Sequence, residues 1–251
     1  MNILICMYPY PFFRAQGQTL RVYNIAKHLA KRHRLFLLGI TDDSLKLKNS
    51  SLVFEIKDIF EKIFEIKVRR KKFIEILNLL TPRYSINLEF PIIKKKLYKL
   101  ISQIIKKEKI DILHVNGFPL IDLILADFKG IPKILDLCDS RYLIHKRALK
   151  NTSQVFETFS LFFKYLRIKA IEKYLIKHYD AVTFISQVDA LFSAKLAKGY
   201  FEVIPNGVDI DYFKPISSIN EEFPSIIFFG AMDFKPNICL LYTSPSPRDR
   251  G

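Results

Sequence analysis

Two rhythms of apolar residues alternate along this chain. Short, nearly continuous runs such as "NILICM" (2–7), "RLFLLGI" (34–40), "DILHV" (111–115), "PKILDL" (132–137) and "DAVTFIS" (180–186) alternate with stretches of helical spacing. Runs of this length fit strands buried on both faces, as in a parallel sheet. "KIFEIKV" (62–68) alternates as a strand, and "FEVIPNG" (201–207) reads as a last strand and its turn. Between the strands, "TLRVYNIAKHLAKRH" places Leu20, Val22, Ile25, Ala26 and Leu29 near one helical face, with cations in its last turn. "RKKFIEILNLL" (70–80) reads as a helix stopped at Thr81-Pro82. Ile93, Leu97, Leu100, Ile101 and Ile104 form one stripe behind Pro91, which suits a first helical turn. "ETFSLFFKYLRIKAIEKYLIKHY" and "QVDALFSAKLAK" complete the helices, the latter ending at Gly199. Strand–helix alternation of this kind predicts an α/β fold, a Rossmann-like doubly wound parallel sheet filling residues 1–208.

Periodicity stops after that. "DIDYFKPISSINEEFP" (209–224) holds two prolines, serines and acids and reads as an interdomain linker. "SIIFFGAM" then opens a second α/β unit, so residues 225–238 are expected to hold the first strand of another domain. The last segment, 239–251, "CLLYTSPSPRDRG", has no apolar period and carries breakers where a helix should follow. It resembles the translation of a sequencing-library adapter and reads as a non-native tail on a truncated chain.

Charge and composition narrow the partners. The 251 residues carry a formal net charge of +15, which points to an anionic partner such as nucleic acid, an anionic bilayer or a phosphorylated substrate. Residues 60–109 hold 14 Lys and Arg against 5 Asp and Glu. These charges read either as the solvated face of amphipathic helices or as a surface adsorbing to anionic lipid through Lys71 and Lys94–Lys96. No aromatic–basic RNA signature or DNA-reading helix appears, so nucleic acid is not the expected partner. Cys6, Cys138 and Cys239 show neither metal spacing nor a disulfide framework, so no metal and no cofactor are expected. The N-terminus lacks a signal peptide's basic region and no run reaches a membrane span. A reduced, cytoplasmic location follows, with a peripheral position on the inner face of the membrane as its variant.

The segment "VIPNGVDIDYFKP" (203–215) carries the most specific signal. It resembles the linker signature of retaining glycosyltransferases of family 4, which have the two-Rossmann-domain GT-B architecture. Other pieces fall in that family's order: "MNILI" with Gly17, Arg21 and "HLAKRH", then "KIDILHVNGFP", "KHYDAVTFIS" and "IIFFGAMDFKPN". The resemblance implies an N-terminal, acceptor-side domain followed by the start of a donor-binding domain. It implies a nucleotide-sugar donor and a saccharide or lipid-linked acceptor of the cell envelope, with the donor contacts, including a pair of glutamates, and the unidentified catalytic residues expected in a second domain beyond this chain. The fragment is therefore expected to be inactive alone. A non-catalytic module binding an anionic ligand or membrane surface is the alternative, and an epimerase or phosphorylase of similar architecture is a third reading.

Single residues follow from these readings. Gly17, just before a helix, fits either a tight turn or the close approach of a phosphate or sugar hydroxyl. The family often has two adjacent glycines here, whereas this chain has Gln16-Gly17. Arg21, one turn on, either faces an acidic acceptor group or is a solvated helix arginine. Cys138, Asp139 and Arg141 follow the strand "KILDL", at the carboxyl end where open α/β sheets bind ligands. The resemblance places a sugar-contacting histidine where Cys138 stands; a thiol bonds weakly, which leaves His145 or another group for that contact. Asp139 and Arg141 are the candidate substrate contacts. Gly230 is the candidate for the donor diphosphate, by resemblance, and Asn206-Gly207 is the candidate hinge.

Overall fold

The computed structural model describes residues 1–8, 10, 17–42, 56, 58–68, 90–116, 120–150, 155–211, 213–214, 230, 237–238 and 241. Seven parallel strands form one sheet: β1 (Asn2–Met7), β2 (Arg34–Asp42), β3 (Lys62–Val68), β4 (Ile112–Asn116), β5 (Lys133–Cys138), β6 (Ala181–Phe184) and β7 (Phe201–Val203). Their order is β3-β2-β1-β4-β5-β6-β7. The chain winds outward from β1 in one direction and from β4 in the other, the doubly wound arrangement that the alternating pattern predicts. Among the described residues, six helices connect or flank the strands: α1 (Gly17–Leu29), α2 (Phe90–Glu108), α3 (Leu120–Ala126), α4 (Arg141–Lys150), α5 (Val155–His178) and α6 (Gln187–Ala194).

Two cores lie on opposite faces of the sheet. Alternate residues of β1 separate them: Leu4 and Cys6 belong to one, Ile3, Ile5 and Met7 to the other. The larger core takes Leu97, Ile101 and Ile104 of α2, Ile124 and Leu125 of α3, Ile171, Leu175 and Ile176 of α5, and Ala190 of α6. The smaller takes Val22 and Ala26 of α1. Each fully buried aliphatic side chain contributes roughly 1.5–3 kcal/mol, so these helix stripes hold the layers together. In α1 the buried face is Thr19, Arg21, Val22 and Ala26. Leu20, expected on that face, is exposed instead, because the helix turns Arg21 toward the sheet. In β2, Gly39 leaves room for a ring: a Cβ there would lie 2.5 Å from Cγ of Tyr10.

The chain divides into two compact units, Met1–Asn206 and Gly207–Gly251. The first contains all seven strands. In the second, the described residues include a short turn in which the Asp209 carboxylate accepts from the Asp211 N–H at 3.1 Å. The helix expected over 70–80, Lys71, the strand expected within 225–229 and nearly all of the 239–251 tail lie outside the described residues. No helix of the described residues is long and apolar enough to cross a membrane.

Candidate functional site

The sheet reverses its winding between β1 and β4, and ligands of such sheets bind in the crevice beyond the strands' carboxyl ends at that point. Gly17 is the first residue of α1 there. A Cβ built on Gly17 meets nothing within 4 Å, and its φ is not left-handed. The glycine thus serves no left-handed turn, and the place of its missing side chain is open. Behind it, Gln18 donates to the Asn116 side chain at 2.6 Å, and the Tyr8 N–H donates to the Asn116 carbonyl at 3.0 Å. The two strands at the switch point are therefore tied by one asparagine.

Strand register carries polar residues across one face of the sheet. Ile5 pairs with His114, Met7 with Asn116, and Asp136 with Thr183. Period-two alternation places all of these partners on the α1 side. The result is a buried polar row where a core would otherwise be apolar. Arg21 reaches down into it: Nε lies 2.9 Å from Asp136 Oδ2 and 3.2 Å from Oδ1, with both side chains almost fully buried. Thr183 donates to the same carboxylate at 2.8 Å, and the Asn116 amide donates to the Asp136 carbonyl at 3.1 Å. Beside this row the buried His114 imidazole is held below the usual histidine value, by burial first.

Arg21 also extends to the end of the unit. Its Nη1 donates to the Ile204 carbonyl at 2.7 Å and to Asn206 Oδ1 at 3.0 Å. At 6% exposure it is not the solvated helix arginine of one expectation; its Nε is bound to Asp136, while its buried Nη2 has no hydrogen-bond partner among the described residues. The correction has a physical cause: a buried carboxylate in β5 demands a cation, and α1 lies directly over it. Neither Asn206 nor Gly207 has positive φ. The division between the two units falls between these two residues.

At the carboxyl end of β5 the backbone is strained. Cys138 has φ of +62°, and the Asp139 N–H donates to the Leu137 carbonyl at 2.8 Å, closing a tight turn centred on the cysteine. Positive φ is uncommon for a side-chain-bearing residue, and Asn, Asp and His are the types most enriched there. The position to which the family resemblance assigns a histidine is thus one whose backbone suits that residue. Burial pushes the Cys138 thiol up to about 12, as suits a packed side chain rather than a reactive thiolate. The Asn116 amide approaches its sulfur at 3.9 Å. Asp139 and Arg141 stand together just beyond. Desolvation and then the charge of Asp189 raise the Asp139 carboxyl above its usual value, while Arg141 and Arg21 pull it down. The Arg141 guanidinium, lowered by burial, feels Asp122, Cys138, Asp139 and Glu172. His145 bonds the Arg141 carbonyl within α4 at 2.9 Å, so its ring serves its own helix.

Sequence reading missed the residues that hold this edge in place. Glu172 of α5, 1% exposed, accepts from Ser140 Oγ at 2.7 Å, Ser193 Oγ at 2.5 Å and the Tyr142 N–H at 2.9 Å. It thereby satisfies the N-terminus of α4 and binds α4, α5 and α6 together. Ser186, in the segment "FIS", caps α6 by accepting from the Asp189 N–H at 3.2 Å, and Asp189 in turn accepts from the Ser140 N–H at 2.9 Å. The available signal was the polar residue inside an apolar run: Asp136 in "KILDLC", and His114 and Asn116 two apart in "ILHVN". Among the described residues no cluster of three or more His, Cys, Asp or Glu is arranged to hold a metal ion. A depression of about 560 Å³ lined by Asp127, Lys129, Lys133, Lys177 and His178 lies at the other, amino end of β5. There Lys133 Nζ donates to the Ala126 carbonyl at 2.5 Å, closing the end of α3. Gly230 is exposed and lies in the second unit.

Known proteins share this architecture. Sucrose-phosphate synthase from Thermosynechococcus elongatus superposes with a TM-score of 0.53 at 15% identity, over 86% of this chain and 50% of that one. Medicago truncatula UGT71G1, complexed with UDP-glucose, gives a TM-score of 0.51 at 12% identity, over 88% of this chain and 54% of that one. At such identities the likeness establishes the fold, and this chain spans about half the length of either structure. No curated protein sequence matches the chain. The model of Glycosyltransferase Family 4 matches residues 15–212, most of the chain and all of the site just described except the end of β1 and Gly230, so the chain belongs to that family.

Proposed function

We propose that this chain is the acceptor-side part of a retaining glycosyltransferase that moves a sugar from a nucleotide-diphosphate donor to an envelope polysaccharide or lipid-linked acceptor. The family match over residues 15–212 carries this reading. In support, the open side-chain position of Gly17 and the Asp139–Arg141 pair share the carboxyl edge of the sheet, where an acceptor hydroxyl would be positioned. Gly17, Asp139 and Arg141 are the proposed substrate contacts. Arg21 is a positioning residue, because it acts through Asp136, Ile204 and Asn206.

The donor's base and diphosphate, the leaving-group contacts and the catalytic carboxylates are assigned to a second domain, to which Gly230 would contribute backbone N–H groups. Asn206-Gly207 is the proposed hinge on which the domains close. The test is transfer from a panel of labelled nucleotide sugars to envelope lipid extracts, with this chain and with a longer protein that joins it to a donor-binding domain. Transfer by the longer protein and none by the 251-residue chain is expected. Transfer by this chain alone would place the donor site within it and overturn the division of labour. The alternative non-catalytic module predicts no transfer by either.

A further inference from the structure

Helix α5 extends beyond the sheet that it packs on. Its carboxylate Glu172 is level with the carboxyl end of β5, since it bonds Ser140 and the Tyr142 N–H. Its last turn returns to the amino end, where the Asp180 N–H donates to the Lys133 carbonyl at 3.0 Å. The residues before Glu172 therefore continue past the carboxyl edge, and Phe159 lies about 20 Å further along the helix axis at about 1.5 Å per residue. On this overhang Phe159, Phe162, Phe163 and Leu166 are 68%, 43%, 46% and 42% exposed. At about 100° per residue they occupy one side of the helix, within an arc of roughly 100°. Phe163 meets both Phe159 and Phe162 edge-on, so the patch is an aromatic cluster rather than scattered side chains.

Charge is segregated along the same side. Below Leu166 the exposed positions on that side are Lys169, Ala170, Lys173 and Lys177. The only carboxylate among the described side chains of α5 is Glu172, which is buried and satisfied internally. Neighbouring α4 adds exposed Arg147 and Lys150 and has no acidic residue. Lys94 of α2, by contrast, is bound to Asp127 and lies over the Tyr98 ring, so of the three lysines expected to adsorb only Lys95 and Lys96 are exposed.

We propose that the overhang of α5 docks on an anionic lipid bilayer, with Phe159, Phe162, Phe163 and Leu166 entering the acyl boundary and Lys169 and Lys173 at headgroup level. An apolar end with cations one to two turns behind it matches the layering of an anionic leaflet, apolar inside and negative at its surface. A second copy of the chain fits poorly, since pairing these faces brings cations together without acids. The surface lies on the same edge as the candidate site, so docking would present that site to molecules held in the membrane. The inference stands on the surface alone and does not depend on sugar transfer.

The sequence has no tryptophan, so Phe163→Trp in the full chain gives a fluorescent reporter with no background. With vesicles of phosphatidylcholine plus phosphatidylglycerol, its emission should shift to the blue and be quenched by brominated acyl chains. Phosphatidylcholine vesicles alone should leave it nearly unchanged. In the otherwise unaltered chain, Phe159→Gln with Phe163→Gln should weaken vesicle co-sedimentation at least about tenfold. Lys169→Gln with Lys173→Gln should weaken it about fivefold per lysine and flatten its salt dependence. All four positions are exposed, so the variants should melt as the parent does. No shift or quenching, binding lost only with Lys95→Gln and Lys96→Gln, or a blue shift without vesicles that rises with protein concentration would each overturn the proposal; the last would indicate self-association. None of these outcomes bears on transfer by the longer protein.

Discussion

A single buried arginine decides how the candidate site is held. Arg21 and Asp136 are both almost fully withdrawn from water, so each depends on the other for compensation. Arg21→Met leaves Asp136, among the described hydrogen-bond partners of its side chain, with the Thr183 hydroxyl and the Asn116 amide, neither of which neutralises it. The expected loss is about 3–5 kcal/mol, read as a shift of the urea midpoint. Adding Asp136→Asn should recover part of it, because the uncompensated charge is then gone; an unchanged midpoint in the single variant would show that the pair contributes little. This pairing was only half legible in the sequence. A cation one turn into α1 is visible as a candidate, but its partner lies 115 positions away and is defined only by strand register. Cys138 is similar: its place at a strand end can be read, whereas its positive φ arises from the turn to Asp139 and leaves no mark in composition.

Among elements, legibility followed length and contrast. Strands β1, β2, β4, β5 and β6 are apolar runs bounded by polar residues, and the stripe Leu97, Ile101 and Ile104 marks α2 because polar residues fill the turns between. Helix α3 escaped notice, since "LIDLILA" is seven residues of mostly apolar character, as compatible with a buried strand as with a helix. Helix α4 buries little beyond Tyr142 and Leu143 and has no strong stripe. Its position instead depends on Glu172, whose carboxylate accepts from Ser140, Ser193 and the Tyr142 N–H. Glu172→Gln keeps the size but turns an NH2 group toward one of those donors. A loss of about 1–3 kcal/mol is expected, with the amide protons of the first turn of α4 exchanging faster in hydrogen-exchange measurements. Uniform exchange changes across all helices would instead mean that Glu172 supports the fold globally and does not fix α4 specifically.

At the scale of the molecule, the sheet and both cores are complete within Met1–Asn206, which is why the alternating pattern alone conveys the first unit. The end of that unit is less obvious from sequence: residues 204–206 are neither strand nor helix, yet they receive the far side of Arg21. Comparing chains that stop after Val203 and after Asn206 isolates this contact. The Asn206 form should fold with its sheet intact, because every strand pairing lies within it. The Val203 form loses the Ile204 carbonyl and the Asn206 side chain, so Arg21 Nη1 exchanges two fixed acceptors for whatever water can reach it. Leaving a buried donor unpaired costs about 1–3 kcal/mol, and in a domain of this size each kcal/mol moves the melting temperature by about 2–4 °C. The Val203 form should therefore melt several degrees lower, and Arg21→Met should narrow the gap between the two lengths, since the acceptors matter only while the guanidinium is present. Equal melting temperatures in the parent sequence would show that Arg21 does not anchor the chain where it leaves the sheet, and the hinge proposed at Asn206-Gly207 would lose its fixed side.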